Sequence, residues 1–176
     1  MKMSTDVPEG TVVTIQGNII SVKKGDIELT REFPLRLLSI KSLGNAVDVE
    51  SFTDTAKSKA MVGTFRAHVN NMIRGVSEPF VYKLKICSAH FPMTVKQSGN
   101  ILTVTNFLGE KKPKKVKLIE GVKVKVDGDI ITVTAADKEH AGIISSRLEQ
   151  STRLNNKDRR IFQDGIFMIN KAGKDL

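Results

Sequence analysis

A short pattern that recurs along the chain constrains its fold more than any other feature. The pattern is Gly, then Asn or Asp, then aliphatic residues alternating with polar ones, and it begins at Gly17, Gly25, Gly44, Gly99 and Gly128. Gly and Asn/Asp tolerate positive φ, and alternating β-branched residues suit strands, so each copy predicts a tight turn that leads into a strand. In GVKVKVDGDIITVTA, residues 121–135, valines alternate with lysines before a turn at Asp127-Gly128. This stretch predicts an antiparallel hairpin with one polar face.

Two stretches have helical periodicity instead. Residues 53–75 offer Asp54 or Thr55 as N-cap and Gly75 as C-terminal stop, and residues 137–153 offer Asp137 as cap. Both stretches predict amphipathic helices that need a sheet to lie on. The apolar residues at helical spacing are Met61, Val62, Phe65, Val69, Met72 and Ile73 in the first, and Ala141, Ile144 and Leu148 in the second.

These features recur at nearly one offset and in one order. Gly99 lies 82 residues after Gly17, Gly128 lies 84 after Gly44, and Asp137 lies 83 after Asp54. Chance recurrence of common turn residues is the alternative, but three features in the same order favour an internal duplication. We therefore predict an α+β protein of two tandem duplicated domains, each an antiparallel sheet with a helix packed on one face. The expected domains are residues 1–76 and 77–176, joined in RGVSEPF.

Charge points to an anionic partner. The 176 residues include 28 Lys and Arg against 19 Asp and Glu, a formal net charge of +9, which favours nucleic acid over a merely basic soluble protein. With 5% aromatics, one Tyr and no Trp, a single-strand binder that stacks bases is disfavoured, and binding through phosphates and shape is favoured. No apolar run approaches the roughly 20 residues of a membrane span, and no secretory signal is visible. We expect an intracellular protein without membrane contact.

Nothing in the sequence assembles an active site. It has no phosphate-binding Gly-rich loop and no dinucleotide fingerprint. The single Cys87 excludes a multi-cysteine metal site, and His68, His90 and His140 are scattered without a second ligand at metal-binding spacing. We expect no catalytic residue, no metal and no cofactor, with structural roles for the three histidines; His90 would help to shape a turn before Pro92.

The basic residues form two clusters. The first surrounds Pro113, which predicts a loop or edge strand, and it either binds RNA or only protects a sheet edge; it contains Lys111, Lys112, Lys114, Lys115 and Lys117. The second runs from the second helix to the C-terminus and contains Arg147, Arg153, Lys157, Arg159, Arg160, Lys171 and Lys174.

The second cluster adjoins apolar residues. Arg153, Lys157 and Arg160 step by four and three, so a helical continuation would align them on one face. Phe162, Ile166 and Phe167 would pin the segment to the second domain. The result would be a rigid array of cations, in which guanidinium groups can bond phosphate oxygens with two parallel hydrogen bonds.

Three blocks of sequence resemble a known family. QSTRLNNKDRRIFQDGIF, residues 150–167, resembles the C-terminal signature of large ribosomal subunit protein six, the L-six family, called L-nine in eukaryotes. NMIRGVSEPFVYKLKICSAHFP and NFLGEKKPKKV resemble its archaeal and eukaryotic branch. The resemblance covers nearly the whole chain, and the family is similar in having two repeats of one α+β fold. The chain departs from the family at KKGD, residues 23–26, where the family usually has a Gly-Pro-x-Gly hairpin.

The resemblance implies a structural protein of the large ribosomal subunit. It would bind large-subunit rRNA mainly through the second domain, near the factor-binding region where translational GTPases dock. Its partners would be rRNA and neighbouring ribosomal proteins, with translation factors nearby; it would be cytoplasmic on the ribosome and a monomer outside it. Asp164 and Gly165 would shape the turn that positions the RNA contacts, which by the matching motif are Arg153, Lys157, Arg159, Arg160 and Lys171.

Two other classes remain open. A free RNA-binding regulator or ribosome assembly factor would share the same charge pattern, and co-sedimentation with mature large subunits would separate it from a ribosomal protein. An RNA-processing enzyme would need an acid/base pair that the sequence does not reveal.

Overall fold

The chain forms two compact units, Met1–Pro79 and Phe80–Leu176. The structure is a computed structural model, and it describes residues 2–33, 38–42, 46–158 and 160–176. Each unit has its own hydrophobic core.

The first unit consists of six strands followed by one helix. The strands form two antiparallel sheets of three, in the orders β1-β6-β5 and β2-β3-β4. The helix α1 contacts β1 and β6 of one sheet and β3 and β4 of the other, so the core lies between the helix and both sheets. The elements are β1 (Lys2–Asp6), β2 (Val12–Gln16), β3 (Ile19–Lys24), β4 (Ile27–Glu32), β5 (Leu38–Ser42), β6 (Ala46–Ser51) and α1 (Ala56–Ser77).

The second unit repeats this order and then adds two strands. Strands β7 to β12 and helix α2 correspond to β1 to β6 and α1, and β13 and β14 follow the helix. The sheets have the orders β11-β12-β7-β13-β14 and β10-β9-β8, and α2 contacts β7, β10, β12 and β13. The elements are β7 (Phe80–Cys87), β8 (Thr94–Ser98), β9 (Ile101–Thr105), a 3-10 turn (Phe107–Gly109), β10 (Lys114–Lys117), β11 (Val122–Asp127), β12 (Ile130–Ala135), α2 (Lys138–Ser151), β13 (Gly165–Lys171) and β14 (Lys174–Asp175).

The α+β class with a tandem repeat is confirmed, although the strands of each unit divide between two sheets rather than forming one. The C-terminus, expected to be a basic tail, is a hairpin of β13 and β14. Asn170 fastens it, because its amide donates to Asp175 Oδ1 at 2.7 Å and its Oδ1 accepts from Gly173 N at 3.1 Å.

Four of the five recurring turns lie in described residues and share one geometry. Gly17, Gly25, Gly99 and Gly128 have φ of +57 to +58° and each opens a two-residue loop between paired strands. This is the loop position that favours glycine in type II′ hairpins. The last turn was predicted one residue early: it is Gly128-Asp129, because Asp127 pairs with Ile130 at the end of the ladder. The turn at Gly44 lies outside the described residues.

The helix boundaries depend on packing as well as on local signals. Of the two predicted N-caps of α1, Thr55 is the one used, and its side chain accepts from Ser58 N at 3.2 Å. The prediction that Gly75 ends this helix is wrong. Gly75 is buried, and the helix continues past it to Ser77. The helix ends where Glu78 becomes extended before Pro79, as residues before proline tend to do.

Asp137 caps α2 as predicted, since its carboxylate accepts from Glu139 N at 2.8 Å. Within the described ranges, neither helix combines the length and the apolar character that crossing a membrane would require.

Candidate nucleic-acid interface

The segment that carries the C-terminal basic residues is irregular, not helical. Helix α2 ends at Ser151, so the prediction that Arg153, Lys157 and Arg160 share one helical face is wrong. The physical reason is a contact of Thr152, the C-cap residue of α2, with the next strand. Its hydroxyl oxygen accepts a hydrogen bond from Ile166 N of β13 at 2.9 Å. Asn156 then takes a left-handed φ of +60°, which a helix does not tolerate. We call residues 152–164 the exit segment.

Both ends of the exit segment are held by buried groups. Thr152 is 3% exposed and bridges α2 to β13, because its hydroxyl also donates to Glu149 O at 3.2 Å. At the other end, Gly165 has φ of +152°. A Cβ at that position would lie 3.3 Å from the Phe167 ring and 3.4 Å from Thr152 Oγ1, so glycine is what allows this close approach.

Asp164 fastens the exit segment to the loop after β7. Its carboxylate, in a residue 4% exposed, accepts hydrogen bonds from Ala89 N at 2.7 Å, His90 N at 2.9 Å and His90 Nδ1 at 2.5 Å. Burial raises the pKa of the Asp164 carboxyl, but the hydrogen bonds from His90 and Ala89 outweigh it and leave the pKa below its ordinary value. Asp164 therefore acts as a charged clamp between two loops.

Phe162 lies on the same clamp. Its half-buried ring stacks on His90, with centroids 5.2 Å apart and planes 25° apart, and Lys157 Nζ lies 4.5 Å from its ring centre. Of the three expected apolar anchors, Ile166 is fully buried at 1% exposure, while Phe162 and Phe167 are half-buried. The contact of Lys157 with Phe162 is a cation–π pair that orients one basic side chain of the segment.

The other predicted cations of this region are exposed. Arg147 lies on α2, Arg153 follows its end, and Lys171 ends β13 opposite Lys174 in the final hairpin. None of the three forms an ion pair with another described residue; Arg159 lies outside the described residues.

The Arg160 side chain is 90% accessible, and its guanidinium pairs with Asp158 at 2.8 Å. Their mutual hydrogen bond raises the pKa of Arg160 and lowers that of Asp158.

The lysine cluster lies elsewhere in the second unit. Lys114 and Lys115 belong to β10, an edge strand of its sheet, while Lys111 and Lys112 precede it and are exposed. Lys114 is already engaged, since its Nζ is 3.4 Å from Glu110 and 4.6 Å from the centre of the Phe107 ring. Strand β10 contacts α2, but no described side-chain contact joins this cluster to the exit segment.

The described residues of this region include cations that can bind an anion, but they do not form a metal site. Across the described ranges, no group of three His, Cys, Asp or Glu side chains could hold a metal ion. His140 lies 3.8 Å from Asp137 in the first turn of α2, and His68 lies beside Phe33 on α1. The contact that sequence reasoning missed is His90 with Asp164, because 74 residues separate them and no local spacing signals it.

Comparison with known proteins identifies the family. The family model described as ribosomal protein L6 matches residues 7–79 and, a second time, residues 91–165, in agreement with the duplication. The large ribosomal subunit protein uL6 of Methanococcus vannielii is 45% identical over 171 residues, which cover 97% of this chain and 94% of the relative. That of Methanosphaera stadtmanae is also 45% identical, covering 97% and 93%, and that of Nanoarchaeum equitans is 44% identical, covering 100% and 96%. These archaeal relatives confirm the resemblance to the archaeal branch, and the chain is a member of the ribosomal protein L6 family, a family of structural constituents of the large ribosomal subunit and not of enzymes.

Proposed function

We propose that this chain is built into the large ribosomal subunit and holds large-subunit rRNA mainly through its second unit. The observation that carries the proposal is the exit segment. Its described cations, Arg153, Lys157 and Arg160, are exposed, while the buried side chains of Thr152 and Asp164 fix its two ends. Such a segment presents charge in a fixed geometry, so little side-chain and backbone freedom is lost when RNA binds.

Binding would be dominated by phosphate and shape. A-form RNA hides its major-groove base edges from side chains, so phosphates, 2′-hydroxyls and the shallow groove carry most contacts. Arg160 would exchange its carboxylate partner Asp158 for a phosphate. Because exposed ion pairs contribute little free energy, breaking the pair with Asp158 costs little. Lys157, held over Phe162, would offer a second phosphate contact.

The wider setting of the site rests on the family resemblance and the names of the relatives. We place the second unit near the region where translational GTPases dock, with other large-subunit proteins as neighbours and the ribosome in the cytoplasm as its location. Outside the ribosome the chain would be a monomer. The lysine cluster of residues 111–117 would be a secondary RNA contact, and Lys114, already paired with Glu110, would contribute least to it.

RNA crosslinking on purified large subunits tests the proposal. Peptides carrying an attached nucleotide are expected within residues 147–174. Crosslinks confined to residues 111–117 would move the RNA site to the lysine cluster and make the exit segment a contact with another protein. If the chain does not co-sediment with mature large subunits, the free regulator or assembly factor becomes the better assignment.

A further inference from the structure

A cavity of about 360 Å³ opens beside the exit segment. The end of α2 supplies Glu149 and Gln150, and the exit segment supplies Arg153, Leu154 and Phe162. The start of β13 closes the cavity with Phe167. Hydrogen bonds from Ile166 N to Thr152 and from Met168 N to Glu149 join strand β13 to the end of α2, so two sides of the cavity are connected before any ligand arrives.

The size of the cavity restricts its occupant. Small-molecule sites span roughly 300–1,000 Å³, so this cavity, at the lower end of that range, takes one small group. A helix about 10 Å across does not fit such a space, and neither does an RNA duplex. The occupant must be a single side group projecting from a larger partner, or a small molecule.

The chemistry of the lining favours a nucleobase. Phe167 supplies an aromatic ring against which an unpaired base can pack. Phe162, whose ring already stacks on His90 and lies under Lys157, adds apolar contact at its edge. The exposed guanidinium of Arg153 stands at the rim, where it can bond the phosphate of the same nucleotide. Three charged side chains line the cavity, those of Arg153, Glu149 and Asp164. The Asp164 carboxylate is already bonded to Ala89 N and His90 N, and Lys157, over the Phe162 ring, adds a cation beside the cavity.

The free polar atoms of the lining set a preference among bases. Glu149 uses Oε1 to accept a long hydrogen bond of 3.5 Å from Met168 N, and its second oxygen has no described partner. Gln150 donates from its amide nitrogen to Ser146 at 3.1 Å, and its amide oxygen has no described partner either. Both free atoms are acceptors, so they match the two-donor exocyclic amino group of adenine, cytosine or guanine better than uracil, whose single donor, N3–H, lies between two carbonyl oxygens.

We propose that this cavity receives one unpaired, amino-bearing base of the bound rRNA, with Arg153 on its phosphate. The inference rests on the proposed function and deepens it, because it adds recognition of a base to binding through phosphates. The site would anchor the exit segment at one nucleotide that is not in a duplex.

Filter binding of the full chain to transcribed large-subunit rRNA, over a range of salt concentrations, tests the inference. Leu154→Trp fills the cavity and should weaken binding about tenfold, the order of one lost base contact. The slope of the salt dependence should change by at most about 0.9, the contribution of the one phosphate held by Arg153. Gln150→Ala, at an exposed position, removes an acceptor without filling space and should weaken binding less. Phe91→Leu removes an exposed ring outside the cavity and should change nothing.

A second measurement identifies the occupant. In NMR titrations of the full chain, adenosine 5′-monophosphate should shift the ring signals of Phe162 and Phe167, and uridine 5′-monophosphate should shift them less. Leu154→Trp should abolish these shifts, and inorganic phosphate should not reproduce them. No ring shift with adenosine 5′-monophosphate would overturn the inference, as would unchanged rRNA affinity in a folded Leu154→Trp variant. Wild-type protein that fails to bind rRNA at all would instead overturn the proposed function.

Discussion

Removing the Asp164 carboxylate should destabilise the second unit strongly, although the residue lies at the end of an irregular segment. Asp164→Ala deletes three hydrogen bonds to a charged acceptor, from Ala89 N, His90 N and His90 Nδ1. Each such bond contributes about 1.5–3 kcal/mol. Ala89 and His90 are exposed, so water can replace part of the loss, and the buried charge itself no longer has to be desolvated. We expect a net loss of about 3 kcal/mol.

Urea unfolding, followed by tyrosine fluorescence, measures this loss of unfolding free energy in the second unit of the chain. The chain has one Tyr and no Trp, and Tyr82 is buried in the core of the second unit. With a slope of about 1.5 kcal/mol per M for a unit of this size, the Asp164→Ala midpoint should fall by about 2 M. The matched control is Asp158→Ala, which removes an exposed carboxylate from the same segment and should leave the midpoint unchanged. Equal midpoints in the two variants would refute the clamp.

The same comparison has a defined pH dependence. The folded-state pKa of Asp164 lies below its unfolded value of 3.8, so its carboxylate contributes stability that is fully present above that value. This stability is lost as the pH falls through the folded pKa. The difference between wild type and Asp164→Ala should therefore be constant near neutral pH and shrink below about pH 4. A difference that is the same at pH 7 and pH 3 would show that the charge of Asp164 is not what holds the loop.

Three further predictions concern the same segment. The double variant Lys157→Ala with Arg160→Ala should weaken rRNA binding and flatten the logarithmic salt dependence of the affinity by about 0.7–0.9 for each lost phosphate contact. Its circular dichroism should be unchanged, and an unchanged affinity would exclude both residues from the RNA site. Phe162→Ala should cost about 2 kcal/mol in urea unfolding, less than a full core truncation, because the ring is half-buried and stacked on His90; no change in midpoint would show that the ring is not docked. Gly165→Ala should cost about 1–3 kcal/mol because it combines a left-handed φ with a close approach to the Phe167 ring, and a melting temperature equal to wild type would contradict this.

The parts of the fold that could be predicted are those with short-range causes. The turns at Gly17 and Gly99 need only a glycine at the first position of a two-residue loop, and the cap at Asp137 needs only an amide two residues away. Gly75 shows the limit of such signals. Its local chemistry favours a helix end, but burial against the core outweighed the small intrinsic cost of glycine in a helix.

The candidate site was predictable in composition and not in geometry. The cations of the exit segment could be named from their clustering, but their common helical face could not form, because Thr152 is used by Ile166 from the next strand. The clamp of His90 and Asp164 exists because β13 pairs with β7, with Gly165 opposite Cys87. That pairing joins residues more than 70 positions apart, and neither a period of 2 nor a period of 3.6 encodes it.

The duplication also explains why the candidate site belongs to one repeat and not to both. In the first unit the chain leaves at Pro79, directly after α1 ends at Ser77, and β1 is an edge strand among the described strands of its sheet. In the second unit the chain continues past α2, and β13 pairs with β7, the counterpart of β1. This continuation supplies the exit segment, the Asp164 side of the clamp and the Phe167 side of the cavity. The loop after β7 and the end of α2 supply the other sides. The RNA site that we propose therefore depends on strand β13 and the segment before it, which have no counterpart after α1 in the first unit.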